Sequence, residues 1–123
     1  MSNEPTKEAI FALDDLPMEA VEIPEWDCTV WVRGLKVEET DSFHSEAMSD
    51  NGSANVKGLR ARMVAMCTCD STGKRIFDDA DAERLQQKSD LAIQRIWLTA
   101  LRLNGMSRDF VEKYTKNLNE SPS

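Results

Sequence analysis

The stretch VEIPEWDCTVWVRGL, residues 21–35, decides the fold class, because two short alternating apolar segments flank a turn and predict a β-hairpin. Strand side chains alternate between two faces, so one face takes Val21, Ile23, Cys28, Val30 and Val32. The other face takes Glu22, Thr29, Trp31 and Arg33. Trp31 breaks the polar pattern of this second face. Either a second layer of the protein or a partner must therefore cover the indole.

Two helices are predicted around the hairpin. Residues 6–15 form a short helix with Ile10, Phe11 and Leu13 facing inward, and Pro17 ends it. Residues 36–48 form a polar, largely exposed helix, anchored by a narrow stripe of Val37, Phe43 and Ala47. The turn formers of residues 49–55 then predict a flexible loop.

A strong helical period runs from Val56 to Cys69 and predicts a core helix. Asp70 to Gly73 ends it, with Gly73 in a left-handed turn, and Arg75 to Phe77 can add a third strand. Asp78 or Asp79 caps a further helix that runs to about Lys88.

The most apolar helix covers residues 90–104, after a restart at Ser89, and Asn104-Gly105 ends it. Its broad apolar stripe faces the core, while Leu91 and Leu98 lie on the opposite side beside Arg95 and Arg102. We therefore expect this helix to contact protein on two sides. A last helix begins after Ser107 and presents Phe110, Val111, Tyr114 and Leu118.

These elements predict an α+β fold: a mainly helical single domain with an N-terminal antiparallel hairpin or sheet of two to three strands. The expected organisation is a disordered N-terminus (residues 1–5), one domain (6–118) and a disordered tail (119–123). The expected core residues are Val30, Val32, Leu59, Met63, Ile96 and Trp97.

The charge balance disfavours nucleic acid as a ligand, since 22 acidic and 15 basic residues give a formal charge of −7. No apolar run approaches the ~20 residues needed to cross a bilayer. The first residues carry acidic groups where a signal peptide would have lysines, so a cytoplasmic protein is expected.

Few residues suit catalysis or metal binding. His44 is the single histidine and lies on the polar helix, where a base is hard to preorganise. Cys67 and Cys69, two apart in a predicted helix, point about 200° apart and cannot share one metal. Reduced packing thiols are therefore expected for these two and for Cys28. Gly73-Lys74 and the acids from Asp79 fit neither a phosphate loop nor a calcium loop. We expect no enzyme activity, no metal and no cofactor.

What remains is a surface suited to binding protein. Aromatic side chains are enriched in interface anchors, and methionine adapts to varied partners. The candidate partner-binding residues are Trp26, Trp31, Arg33, Leu91, Leu98, Arg95 and Arg102. The methionines at positions 18, 48, 63, 66 and 106 are either core or part of such a surface.

The order of these segments resembles that of the tail assembly chaperones of long-tailed bacteriophages and prophages. A short helix precedes VEIPEWDCTVWVRGL, and an acidic helix follows it. The blocks LRARMVAMCTCDSTGKRIFDD and LQQKSDLAIQRIWLTALRLNGMS come next, so the resemblance covers about residues 7–113.

The resemblance implies a non-enzymatic protein of the host cytoplasm that is absent from the mature virion. Its implied partners are the tape measure protein, which it keeps soluble, and the tail tube protein, with a homo-oligomer as a further expectation. Two alternatives stay open: an acidic phage inhibitor that mimics DNA or blocks a host enzyme, and a small structural component of the virion.

Overall fold

The computed structural model describes residues 4–47 and 58–106, and these form an α+β domain. Within them the helices are α1 (Lys7–Ala12), α2 (Val37–Ala47), α3 (Leu59–Cys67), α4 (Ala82–Leu85) and α5 (Asp90–Leu103). The strands are β1 (Met18–Ile23), β2 (Cys28–Arg33) and β3 (Thr68–Cys69). The predicted fold class is confirmed.

The hairpin of β1 and β2 has the predicted faces. The antiparallel register pairs Val21 with Val30 and Glu22 with Thr29. A short 3₁₀ turn, Pro24–Trp26, connects the strands, and Asp27 follows it with a left-handed φ of 51°. Proline suits the first position of this turn because its φ is already fixed near the required value.

The third strand differs from the prediction. The helix predicted to reach Cys69 ends at Cys67, and β3 pairs Cys69 with Trp31 and Thr68 with Val32. Arg75 contributes a single antiparallel bridge to Cys69 and no further strand. Asp70 explains the early turn, because its carboxylate accepts the backbone N–H groups of Thr72 and Lys74.

The core lies between the inner face of the sheet and helices α3 and α5. Val32, Met63 and Ile96 are fully buried there, and Val30 and Trp97 are nearly so. Leu59 is partly buried against the same cluster. The ring of Phe43 reaches this core from α2 and lies 6.4 Å from that of Trp97. All six predicted core residues thus contribute to the core.

The predicted burial of apolar side chains on α1 and at Val37 of α2 is wrong. Ile10, Phe11 and Leu13 are exposed, and no residue of α1 is buried. Val37 is also exposed, so Phe43 alone anchors α2 among the described side chains of its predicted stripe. Helix α5 contacts both strands of the hairpin and so covers the inner face of the sheet in place of these residues.

The start and end of α5 follow the predicted signals. The Ser89 hydroxyl accepts the N–H of Ala92, and Gly105 adopts a left-handed φ of 67° after the helix. Before it, Asp78 forms a capping box with Asp81, but α4 ends at Leu85 rather than near Lys88. The predicted loop at 49–55, Val56, Met48 and the last helix lie outside the described residues.

Candidate partner-binding surfaces

The outward side of α5 presents an apolar stripe to solvent. Leu91 is 63% exposed and Leu98 is 40% exposed, although the opposite side of the same helix lies in the core. Seven residues make about two turns, so these leucines stand above one another on one face, with Arg95 and Arg102 beside them. We call Leu91, Arg95, Leu98 and Arg102 the α5 stripe; all four are exposed.

Both arginines of the α5 stripe are paired with carboxylates of the hairpin. Arg95 donates from Nε and Nη2 to the two carboxylate oxygens of Glu25, at 2.9 and 3.0 Å. Arg102 donates from Nη2 to Glu19 on β1. The hydrogen bond from Arg95 lowers the pKa of Glu25 below its ordinary value. These pairs connect α5 to the hairpin and partly neutralise the charge beside the leucines.

Trp31 lies on the face of the sheet that points away from the core. It is half-buried, stands between Ala20 and Cys69 in the register, and is not part of the core cluster. Ala20 beside it is exposed. We call this surface, defined by Ala20, Thr29 and Trp31, the outer sheet face. Part of the indole is therefore available to a partner.

The two remaining sequence candidates are less accessible. Trp26 is partly buried and packs against the core cluster from the hairpin turn. Arg33 is 6% exposed, and its guanidinium forms a bidentate pair with Glu39. Its position therefore favours a role in holding β2 to α2 over direct contact with a partner.

Sequence reasoning missed the exposed apolar surface of α1. Phe11 is 80% exposed, Leu13 65% and Ile10 49%. A helix of six residues has little stability of its own and depends on packing. A short helix rich in apolar side chains is therefore a sequence signal for an interaction surface. Glu8, Asp14 and Asp15 outnumber Lys7, so the same segment carries a net negative charge.

The described residues offer little for catalysis. In residues 4–47 and 58–106, no group of three or more His, Cys, Asp or Glu side chains could hold a metal ion. Burial raises the pKa of the Cys67 thiol to about 12 and also raises that of Cys69, which makes both poor nucleophiles. Cys28 is exposed rather than packed, and His44 is half-buried.

The clefts beside α3 and α4 are open and mainly polar. One is lined by Arg62 from α3 and by Asp79 and Glu83 near α4. No helix in the described ranges combines the length and apolar character needed to cross a bilayer. The surfaces that distinguish this chain are thus the α5 stripe, the outer sheet face and α1.

Comparison with known proteins shows a similarity of fold and no similarity of sequence family. No protein-family model matches the chain, and no curated protein matches it. Among solved structures, the tail assembly chaperone of bacteriophage HK97 has a similar fold, with a TM-score of 0.60. The match covers 79% of this chain and 90% of the other, at 18% sequence identity. At that identity the similarity concerns the fold.

Proposed function

We propose that this chain is a phage or prophage tail assembly chaperone that acts by binding protein and catalyses no reaction. The observation that carries the proposal is the fold similarity to the HK97 tail assembly chaperone, which extends over most of both chains. The order of sequence segments pointed to the same family independently of any structure.

The proposed client is the tape measure protein of the same phage, and the tail tube protein is the proposed second partner. A long helical protein exposes apolar stripes before a tube encloses it, and these need temporary cover. We assign the outer sheet face with Trp31 to this contact, because a half-buried indole supplies contact area without being needed by the core. Many copies bound along one client would gain occupancy through multivalency.

The charge of the chain supports a solubilising role. A formal charge of −7 keeps a protein with exposed apolar side chains from aggregating. The ion pairs of Arg95 with Glu25 and of Arg102 with Glu19 compensate charge beside the exposed leucines of α5. In this proposal the protein works in the host cytoplasm and does not remain in the mature virion.

The test is co-expression with the tape measure gene of the same phage. We expect the tape measure protein to be soluble with this chain and insoluble without it, and the two to co-purify. An unrelated acidic protein of similar size serves as the control for general charge effects. A tape measure protein that stays insoluble, or that is solubilised equally by the control, would refute the proposal.

Mass spectrometry of purified particles provides a second test. A chaperone should be absent from them, whereas a structural virion component would be present at a fixed ratio to the tube protein. Presence in purified particles would therefore count against a transient role in assembly.

A further inference from the structure

The edge of β1 that faces away from β2 presents unpaired backbone groups. Gly34 donates its N–H to the carbonyl of Pro17 at 2.8 Å, so these two residues form a hydrogen-bonded pair. Such pairs alternate with non-hydrogen-bonded pairs along an antiparallel ladder. The backbone N–H and C=O groups of Met18, Ala20 and Glu22 therefore point away from β2, and no hydrogen bond occupies them in the described part of the chain. We call these groups the open edge of β1.

Few features protect the open edge of β1. Natural edge strands avoid extra pairing by carrying a bulge, a proline or a lysine, or by lying under another element. The strand MEAVEI contains neither proline nor lysine, and its 6 residues pair with β2 without a bulge. Ala20 and Glu22 are exposed to solvent. The far side of β2, in contrast, pairs with β3. The open edge of β1 is thus accessible to a further strand.

Helix α5 holds the open edge of β1 in position through two ion pairs. Arg102 binds Glu19 near the start of β1, and this pair neutralises a charged side chain on the inner face of the sheet. Arg95 binds Glu25 just beyond the end of the strand. Between the two pairs, Val21 is half-buried and packs against the core cluster. An apolar side chain of an added strand would complete the burial of Val21.

The charges at the open edge of β1 favour a basic strand. Glu22 is exposed and forms no ion pair with a described residue. Opposite charges across two neighbouring strands are stabilising, whereas like charges are destabilising. A strand with lysine or arginine on the same face as Glu22 is therefore favoured. A second copy of β1 would instead bring its own glutamates toward Glu19 and Glu22, which disfavours that occupant.

We propose that the open edge of β1 binds an extended segment of another polypeptide by β-strand addition, and that this segment alternates apolar and basic side chains. The backbone of Met18, Ala20 and Glu22 supplies the hydrogen bonds. Side chains of the added strand alternate between the two faces of the sheet, so the basic ones lie beside Glu22 and the apolar ones against Val21. This inference concerns a surface of the chain and stands or falls separately from the proposed chaperone function.

The experiment measures, by calorimetry, the binding of a synthetic peptide to the purified full chain. The probe is as long as β1 and alternates lysine and valine. One control is the same peptide with methylated backbone nitrogens, which keeps the charge but cannot donate to a strand; the other replaces lysine by glutamate. We expect the probe to bind and each control to bind at least about tenfold more weakly. A probe that does not bind, or a methylated peptide that binds equally well, would overturn the proposal.

Amide hydrogen exchange, followed by NMR, locates the bound peptide. The probe should slow the exchange of the N–H groups of Met18, Ala20 and Glu22, because these groups become hydrogen bonded. The N–H of Thr29 is the internal control, since it points to the opposite edge of the hairpin. Protection of Thr29 in place of the three β1 amides would overturn the proposal. So would protection of the β1 amides in the chain alone at high concentration, which would identify a second copy as the occupant.

Two variants of the chain test the same contact from the protein side. Ala20→Pro removes an outward N–H without breaking the β1–β2 ladder, and it should weaken binding of the probe about tenfold or more. Thr29→Pro is the matched control on the other edge and should bind normally. Glu22→Lys keeps the backbone and should reverse the preference, so that the glutamate peptide binds better than the lysine peptide. Normal binding by Ala20→Pro, or an unchanged preference in Glu22→Lys, would overturn the proposal.

Discussion

Arg33 and Glu39 form a bidentate ion pair largely shielded from water, with Nη1–Oε1 at 2.9 Å and Nη2–Oε2 at 2.7 Å. Their side chains are 7% and 16% exposed. The same Glu39 carboxylate accepts the backbone N–H of Lys36 at 2.9 Å. The pair therefore fixes the end of β2 against the first turn of α2, close to the buried Cys67 and Cys69.

Glu39→Gln should make the protein less stable at neutral pH and less sensitive to acid. Burial by itself would raise the pKa of Glu39, but the hydrogen bonds from Arg33 and Lys36 outweigh it, and the pKa falls below 4.5. A lowered carboxyl pKa gives stability that is present above the unfolded pKa and is lost as the pH falls through the folded pKa. The wild type should thus lose this contribution below pH 4.5.

Denaturant unfolding at pH 7 and at about pH 3 measures this effect. At pH 7 the variant should lose on the order of 3 kcal/mol, because Arg33 is left buried without its counter-charge. At the lower pH the difference in the free energy of unfolding between the two proteins should shrink, because Glu39 of the wild type becomes protonated. All other carboxylates are the same in both proteins. An equal difference at both pH values would show that Glu39 does not titrate as described.

The same substitution on the two sides of α5 should have different effects on stability. The variants are Leu101→Ala on the buried side and Leu98→Ala on the exposed side. Leu101 is 4% exposed and Leu98 is 40% exposed. We expect a loss of about 2–5 kcal/mol in the free energy of unfolding for Leu101→Ala, from lost burial and a cavity. For Leu98→Ala the loss should stay below about 1 kcal/mol. Similar losses would mean that Leu98 is also a core residue.

Thr68→Val should stabilise the protein. Thr68 is fully buried in β3, and its hydroxyl has no hydrogen-bond partner among the described residues. Valine has nearly the same shape as threonine and favours strands. The substitution removes an unsatisfied polar group and should raise the free energy of unfolding by about 1 kcal/mol. Thermal unfolding measures the change. A clear loss of stability would reveal a partner for the hydroxyl.

Alkylation should distinguish the three cysteines. Cys28 is exposed, whereas Cys67 and Cys69 are buried, and burial raises the pKa of the Cys67 thiol to about 12. Iodoacetamide acts on thiolates, so the folded protein should be modified at Cys28 and the denatured protein at all three. Peptide mass spectrometry reads out the sites. Rapid modification of Cys67 in the folded state would contradict its burial.

Trp31→Ser tests the outer sheet face. Because Trp31 is half-buried and outside the core cluster, the fold should survive, while capture of a co-expressed tape measure protein should weaken. Thr29→Ser, on the same face, is the control, because it changes little apolar area. A large fall in melting temperature for Trp31→Ser would instead show that the indole is needed for the fold.

The sequence by itself determined the local structure and the core. Alternation in residues 21–35 predicted the two faces of the hairpin, and helical periodicity placed Met63, Ile96 and Trp97 in the interior. Ser89, Asp78 and Gly105 marked helix ends correctly. These signals are local, because caps and periodicity depend on neighbouring residues along the chain.

The tertiary structure decided which apolar faces are covered. Ile10, Phe11, Leu13 and Val37 have the same apolar character as core residues, but α5 lies against the sheet and α3 lies against α5. Arg33 is buried because it pairs with Glu39 on α2. The short strand β3 forms because it pairs with β2, which is distant along the chain, and because Asp70 holds the turn that follows it. Periodicity shows which face of an element is apolar, whereas the packing of other elements determines whether that face is buried.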